Sequence, residues 1–489
     1  MQNPRDDEVI GHFETMDRAS VADACARARE AGRTLAARTP EQRGTLLQSL
    51  RRALLDHADS LVDILIQEGG KTRPEAILLD VAPGAHVLGY YASIGPRALR
   101  SRKVPPFVAA FPRRATRVLR PRGVVGLISP WNHPIAIALS TIAPALVAGN
   151  AVVWKPSERA TLTARRLHAI FVDVFAAEGL PAELLAVVTG GETTGAALVD
   201  ADIDQLTFIG STSVGRKVAA RCGERLLPAV LELGGKAPAI VLADANVERT
   251  ARALLFGAYA HLGQSCIAVE RVFCDVAVFD ALTARLATLL AGLRPDVDSG
   301  AVVLPQTRAR LAGLLREAQS AGARSWLGAS FCGVSPGFID ASAANAAAVR
   351  ELLVEETFGP LLPIVRVTSV DEAIARANAH DKQLNAYVFS ASATRARAVA
   401  ARLAAPNVVI NDVMVNYALP EVPFGGKGDS GFGRVHGEEG LLALCDEQIV
   451  VEGALPLDRE PWWQPYGRVP DLVLQGLKRA RVLLSFLQR

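Results

Sequence analysis

Val124-Val125-Gly126-Leu127-Ile128 is a short β-rich run that breaks off at Ser129-Pro130-Trp131-Asn132-His133-Pro134. A helical segment near 135–147 follows, and then a second β-rich run, Ala151-Val152-Val153-Trp154. Outward from this unit the alternation continues, with strands predicted at 184–188 and 206–209 and helices near 161–178 and 214–221. Strand and helix in alternation predict a parallel sheet with helices on both faces. Such sheets hold ligands at the carboxyl ends of their strands. A second alternating set has strands at 239–242, 271–274, 361–367, 385–389 and 407–410. Its helices fall near 247–261, 278–293, 308–321 and 370–379. The fold class is therefore α/β, with two such domains and a site between them.

The remaining chain fits this frame. A length of 489 residues is too great for one core. Hydrophobic residues make up 50%, which suits a well-packed soluble protein. The net charge is +3 with no dominant basic block, which argues against nucleic acid as a partner. The cysteines Cys25, Cys222, Cys266, Cys274, Cys332 and Cys445 show no C-x-x-C and no paired spacing. That pattern reads as reduced thiols in a cytoplasmic protein, with neither a metal site nor a disulfide framework. The polar stretch 1–8 does not read as a signal peptide. No run approaches ~20 uninterrupted apolar residues, so no membrane span is expected.

Before the first sheet, helices are predicted from Ser20, where Ser20-Val21-Ala22-Asp23 resembles a capping box, from Pro40, and over 74–88. In the second of these, Leu46, Leu47, Leu50, Leu54 and Leu55 form an apolar face, with Arg51 and Arg52 on the solvated side. Around 100–122, Pro105, Pro106, Pro112 and Pro121 punctuate short apolar runs, which predicts a projecting strand pair or an irregular linker. The tail begins near Pro456 with the aromatic Pro461-Trp462-Trp463-Gln464-Pro465-Tyr466. It ends in an apolar, basic helix candidate over 470–489, packed on protein or lying on a membrane surface.

Two stretches offer chemistry. Gly263-Gln264-Ser265-Cys266 supplies a thiol that could attack a carbonyl carbon. Leu231-Glu232-Leu233-Gly234-Gly235-Lys236 supplies a carboxylate that could take a proton from water. Asn132, after a strand, could donate to an oxyanion or sit in a structural turn, and His133 reads as packed. Phe208-Ile209-Gly210-Ser211-Thr212-Ser213-Val214-Gly215 is a strand, a turn and a helix start of the kind that holds a pyrophosphate, or a plain connection. Trp154-Lys155-Pro156-Ser157-Glu158 places a Lys and a Glu where ribose hydroxyls bind, or offers a surface pair. Glu355-Glu356-Thr357-Phe358-Gly359-Pro360 brings two more carboxylates, which a capped loop would also explain.

Taken in order, these motifs and Pro423-Phe424-Gly425-Gly426 resemble the aldehyde dehydrogenase superfamily over about 22–452. The resemblance implies a Rossmann-like NAD(P)-binding domain (1–101 and 122–231) and a catalytic domain (232–415). It also implies a small β oligomerisation arm with a return to the cofactor domain (102–121 and 416–455), ahead of the tail 456–489. Cys266 would be the nucleophile and Glu232 the general base. The Asn132 amide and the Cys266 backbone N–H would form the oxyanion hole. Lys155 and Glu158 would bind the adenosine ribose, Glu356 and Phe358 the nicotinamide ribose, and Gly210, Ser211 and Gly215 the pyrophosphate. Pro130, Trp131, Ser157, Leu233 and Gly234 would complete the cofactor groove. No metal is implied. Expected are NAD, with NADP as the alternative, a small aldehyde substrate, and a homodimer or homotetramer.

Two departures point to an apolar aldehyde. Many members carry a lysine where this chain has Gly428, and Ile267 directly follows the nucleophile. With the hydrophobic tail, this resembles the branch acting on fatty and aromatic aldehydes, in which the tail shapes the entrance or touches a membrane. The rival readings are a CoA-acylating member, a non-catalytic member and a cysteine hydrolase. Glu232 argues against the first, the joint presence of Cys266, Glu232 and Asn132 against the second, and the cofactor-like motifs against the third.

Overall fold

The computed structural model describes residues 1–105, 113–342, 349–453, 458, 463–468 and 470–478. The chain divides into two compact units, Met1–Arg100 with Leu119–Asp446, and Ser101–Val118 with Glu447–Arg489.

The larger unit holds two main sheets. The first orders its strands Gly431–Phe432, Ala229–Glu232, Gln205–Ile209, Val124–Ser129, Ala151–Pro156 and Leu185–Val187. All neighbours are parallel except Gly431–Phe432, which runs antiparallel on Ala229–Glu232. Val124–Ser129 and Ala151–Pro156 are buried throughout, as strands covered on both faces must be. The helix between them, Pro134–Ala148, is buried along its whole length. Proline at its first turn and Gly149 at φ 100 bracket it. From Val124–Ser129 the chain builds outward in one direction, then crosses back to build in the other. The carboxyl ends at that reversal open onto 130–133 and 210–211.

The second sheet runs Arg324–Leu327, Gly337–Asp340, Leu361–Val367, Arg271–Asp275, Pro238–Val241, Asn385–Phe389 and Asn407–Ile410. Only Arg324–Leu327 is antiparallel to its neighbour. Ala229–Glu232 ends the parallel part of one sheet and Pro238–Val241 lies in the other, so 233–237 is the crossover between them.

Several expectations change. The first helix is Arg18–Ala36, and Asp17 caps it by accepting from the Ser20 amide, so the supposed capping box at Ser20 lies inside the helix. The cap of Pro40–Asp56 is a true box between Thr39 and Gln42. Leu46, Leu47, Leu50 and Leu54 are buried there, but Leu55 is exposed. Ala58–Gly69 is an additional helix. The helix predicted over 74–88 runs instead from Arg73 to Ala98, with a π-turn at Ile77–Val81. By length and hydropathy it could cross a membrane, but its apolar face, including Ala85, Leu88 and Tyr91, packs in the core.

The smaller unit pairs Arg102–Val104 with Arg113–Pro121 in antiparallel register and adds Cys445–Gly453 on the other side. Arg117 Nη2 and Glu447 Oε2 are 2.9 Å apart. Residues 470–478 are helical and exposed. Pro106, Pro112, Pro461, Trp462 and the end of the tail candidate, 479–489, lie outside the described residues.

Candidate active site

Cys266 sits on a loop that backbone strain helps to shape. The helix Val247–Tyr259 gives way to His261 and Leu262, both left-handed at φ 49 and 50. Such conformations persist in non-glycine residues only where surroundings hold them. Gln264 anchors the loop beyond. Its Nε2 donates to the carbonyls of His261 and Ala301, both at 3.0 Å, and its Oε1 accepts from the Val303 amide at 2.8 Å. Burial, and then the nearby charges of Glu356 and Glu232, push the Cys266 thiol up to about 12. The amides of Cys266 and Ile267 pull the other way.

Glu232 ends its strand with a carboxylate that is 5% exposed and finds no full hydrogen-bond partner. Burial raises it well above the usual carboxylate range, against the charge of Arg434 and the amide of Gly426. Cys266 and Glu232 line one small cavity of about 10 Å³ with Ile137, Ser140, Leu233 and Tyr417 among its walls. That is close to the room one water needs. Cys266 also lines a larger cavity of about 310 Å³, walled by Leu78, Leu79, Ile137, Phe256, Ile267 and Met414 among others. Asn132 joins this group through Nδ2, which donates to the Gln264 carbonyl at 3.0 Å. An amide nitrogen carries two hydrogens, so one remains for an oxyanion.

Glu356 and Phe358 are held by a buried network. Glu270 Oε2 accepts from Lys236 Nζ at 2.7 Å and from the Thr357 amide at 2.8 Å, and Oε1 accepts from the Phe358 amide at 2.8 Å. Lys236 also donates to Thr357 Oγ1 at 2.8 Å. Phe358, at φ 44, meets Trp131 edge to face at 5.7 Å. Glu356 accepts from the Gly235 amide at 3.1 Å. Burial and the Glu270 charge raise its carboxyl to about 7. A Cβ on Gly234 would stand 2.1 Å from Glu356 Oε2, so that approach requires glycine.

The other expected groove residues follow the strand ends. Pro130 is half-buried after Val124–Ser129, and the Ser157 amide bonds back to Ser129 O at 2.9 Å. Lys155 is buried and Glu158 half-exposed, with Nζ and Oε2 3.9 Å apart. Gly210 donates its amide to Glu232 O at 3.1 Å, and Ser211 caps the helix Thr212–Glu224. Gly215 is buried a turn further on, where a Cβ would fall 2.4 Å from Leu233 Cδ2. Its missing side chain makes room for Leu233, at the start of the crossover between the sheets.

A sequence profile described as the aldehyde dehydrogenase family matches residues 1–450. The chain belongs to the aldehyde dehydrogenase family. It is an NAD(P)-dependent oxidoreductase acting on the aldehyde group. It is 36% identical over 475 residues to a protein named 4,4′-diapolycopene aldehyde oxidase of Methylomonas, covering 95% of this chain and 87% of that one. It is 34% identical over 445 residues to a putative succinate-semialdehyde dehydrogenase [NADP(+)] of Mycolicibacterium smegmatis, covering 88% and 84%. Among solved structures it is similar to the NADP-dependent glyceraldehyde-3-phosphate dehydrogenase of Bacillus halodurans, complexed with NADP. That match has a TM-score of 0.85 and 30% identity, and covers 93% of this chain and 95% of that one.

The residues present in this aldehyde dehydrogenase fit a dinucleotide. Among the described residues the Lys155 ammonium, pushed down by burial and partly restored by Glu158, has that carboxylate as its one ion-pair partner, and at 3.9 Å makes no hydrogen bond with it. Donor and acceptor are thus left for a pair of ribose hydroxyls. Ser211 and Ser213 are exposed at a helix N-terminus suited to phosphate. Sequence reasoning missed three features. Glu270 follows the cysteine loop directly, and only its place before a strand marked it. Lys71, in a polar stretch, and Asp80, in an apolar one, both prove fully buried. His133, expected merely to pack, lines the larger cavity and lies 3.3 Å from Lys71 Nζ.

Proposed function

We propose that this enzyme oxidises apolar aldehydes, aliphatic or aromatic, to free carboxylic acids through a covalent adduct on Cys266. The observation that carries this is the meeting of two cavities at Cys266: a large apolar one, and a second of about one water's volume that also contains Glu232. The name of the Methylomonas relative, a diapolycopene aldehyde oxidase, agrees with an apolar substrate. Cys266 gives up its proton to water and its sulfur bonds to the aldehyde carbon. The Asn132 amide and the Cys266 N–H stabilise the resulting thiohemiacetal oxyanion, and losing one such donor typically costs about 10²–10³ in rate. Bound NAD(P)⁺ supplies the acceptor for the hydride that leaves this carbon. A thioester remains on Cys266. Glu232 takes a proton from water, the hydroxide adds to the thioester carbon, the C–S bond breaks, and the acid departs. Such general-base help is worth about 10²–10⁴. Glu158 disfavours a 2′-phosphate by charge, which supports NAD over NADP.

For the whole enzyme the reading includes a homodimer or homotetramer. Cys445–Gly453 lies at an edge of its sheet with Ile449, Val450 and Val451 exposed, as strands open to pairing are. It also includes a cytoplasmic enzyme with peripheral membrane contact through 470–489. Loss of vesicle binding on deleting 456–489 would support that contact, and unchanged binding would remove it. The main test follows nicotinamide reduction with NAD and NADP, over short, long and aromatic aldehydes, with and without CoA. Turnover without CoA that is absent in Cys266→Ala, and a single burst followed by a stall in Glu232→Gln, would bear the reading out. Turnover that requires CoA would replace it with the acylating alternative.

A further inference from the structure

We propose that one short segment, 72–81, positions both halves of the catalytic centre: Glu75 sets the loop that carries Cys266, and Asp80 sets the helix start next to Asn132. Neither residue touches substrate, so both are positioning residues, and the proposal rests on the roles given above to Cys266 and Asn132.

Glu75 is 6% exposed, and its two oxygens face different partners. Oε2 accepts from the Thr72 amide at 2.9 Å, which closes the capping box of its own helix. Oε1 accepts from the His261 amide at 2.7 Å and from Ser299 Oγ at 3.4 Å. The single hydroxyl hydrogen of Ser299 is shared with the nearer Tyr259 O at 3.0 Å, so Ser299 links Glu75 to the other side of the strained turn. His261 and Leu262 are the left-handed residues there, and a non-glycine backbone relaxes from that conformation once it is released. The His261 carbonyl takes the Gln264 side chain, and the Gln264 carbonyl takes Asn132 Nδ2. Glu75 thus stands at the root of the chain of bonds that places Cys266.

Asp80 works on the other strand end. It is fully buried. Its Oδ1 accepts from the Ile135 and Ala136 amides at 3.0 and 3.3 Å, the first turn of Pro134–Ala148. The residue at that helix's cap position, His133, makes no side-chain cap bond, so a carboxylate from another segment supplies the missing acceptor. Lys71 Nζ, also buried, balances Asp80 at 3.2 Å and sits 3.3 Å from His133 Nδ1. Asn132 precedes this capped turn directly. In a regular α-helix two side chains five residues apart diverge by about 140° around the axis. The π-turn Ile77–Val81 adds a residue to the turn and lets Glu75 and Asp80 serve two neighbouring loops. The same turn places Leu78 and Leu79 on the wall of the large cavity.

The two arms make separable predictions for the full-length enzyme. Alkylation of Cys266 by iodoacetamide reads the thiol and needs no oxyanion hole. The first-turnover burst of nicotinamide reduction needs both. Asp80→Ala is combined with Lys71→Met, so that no buried charge is left alone. This variant should keep the wild-type alkylation rate and lose about 10²–10³ in burst rate, as for a lost oxyanion donor. Asp80→Asn with Lys71→Met retains an acceptor oxygen and should restore most of that loss. Glu75→Ala should change alkylation and burst together by about 10²-fold, the scale of a small misplacement of reacting groups, and Glu75→Gln should recover part. Aldehyde KM should move little in all four. Folded variants with both rates unchanged would overturn the proposal, as would equal slowing of both rates in the Asp80→Ala pair. A wild type that reduces no nicotinamide in a first turnover would sink the functional reading instead. The proposal would then be judged on alkylation, which Glu75→Ala must change and the Asp80 variants must not.

Discussion

Replacing Glu270 by glutamine tests whether one buried carboxylate holds the loop that carries Glu356 and Phe358. Glu270 is 4% exposed and Lys236 is fully buried, with 2.7 Å between Oε2 and Nζ. Removing one partner of such a pair leaves an unbalanced buried charge and typically costs about 3–5 kcal/mol. Glutamine offers one carbonyl oxygen where Glu270 uses two, on Lys236 and the Thr357 amide at one and on the Phe358 amide at the other. One buried donor is therefore orphaned, for about 1–3 kcal/mol more. These losses overlap, and the expected total is about 4–6 kcal/mol, a large share of the roughly 5–15 kcal/mol that holds a folded protein together. Chemical denaturation and hydrogen exchange at 356–358 would read the stability loss. Steady-state kinetics should show a rise in nucleotide KM larger than the rise in aldehyde KM. The Glu356 carboxyl should titrate below about 7, because the Glu270 charge is one cause of its elevation. The double variant Lys236→Met/Glu270→Gln should recover much of the loss, since contacting residues couple by about 0.5–3 kcal/mol. A Glu270→Gln enzyme within about 1 kcal/mol of wild type, or single losses that simply add in the double, would refute the argument.

Other expectations follow from the same site. In the cofactor-free enzyme, Cys266 alkylation should climb about tenfold per pH unit with no plateau near neutrality. A thiol held at about 12 is ionised to only about 10⁻⁵ at pH 7. Glu232→Gln and Glu356→Gln should each shift that profile to lower pH, since each removes a negative charge that raises the thiol, and an unmoved profile would show the charges to be irrelevant. Deacylation should rise with pH through the elevated Glu232 titration, because only the ionised carboxylate takes a proton from water. A rate flat from pH 5 upward would contradict this assignment. Gly234→Ala puts a Cβ 2.1 Å from Glu356 Oε2 and should raise nucleotide KM more than it changes Cys266 alkylation. Leu78→Asp, at the exposed side of the large cavity, should depress kcat/KM for long aldehydes and spare short ones. Equal loss for both would argue against a chain-binding wall.

What the sequence made legible was whatever local pattern alone determines. Strands 361–367, 385–389 and 407–410 match their observed limits because runs of β-branched and aromatic residues stand between turn signals. The strands Arg324–Leu327 and Gly337–Asp340 carry no such signal, because each holds a charged residue and at most one β-branched residue in four. The helix expected over 74–88 continues to Ala98, because tertiary packing keeps the chain helical through Gly89, Gly95 and Pro96. In the site, residues standing beside glycine turns were legible and the acids that brace those turns were not. Glu75, Asp80 and Glu270 each act on amides far away in the chain, and spacing carries no trace of such a bond.

These hidden acids have a common logic. Each accepts from backbone amides at a point where the chain turns toward the reaction: the His261 turn, the start of Pro134–Ala148, and 357–358. The two groups proposed to do the chemistry, Glu232 and Asn132, by contrast keep hydrogen-bonding capacity unspent. Both Glu232 oxygens and the Asn132 Oδ1 are buried without a partner. Carboxylates bonded to distant amides thus fix the frame, and the unpartnered Glu232 carboxylate lines the cavity of about one water's volume. An unpaired buried polar atom destabilises a fold by about 1–3 kcal/mol, so its presence at Glu232 and Asn132 needs a compensating function. Losing Asn132 would orphan the Gln264 carbonyl, but replacing Glu232 by an apolar residue of similar shape should raise thermal stability while stopping turnover. The same replacement at Glu270 should lower both. That opposition in sign separates the residues that do the chemistry from those that hold them in place.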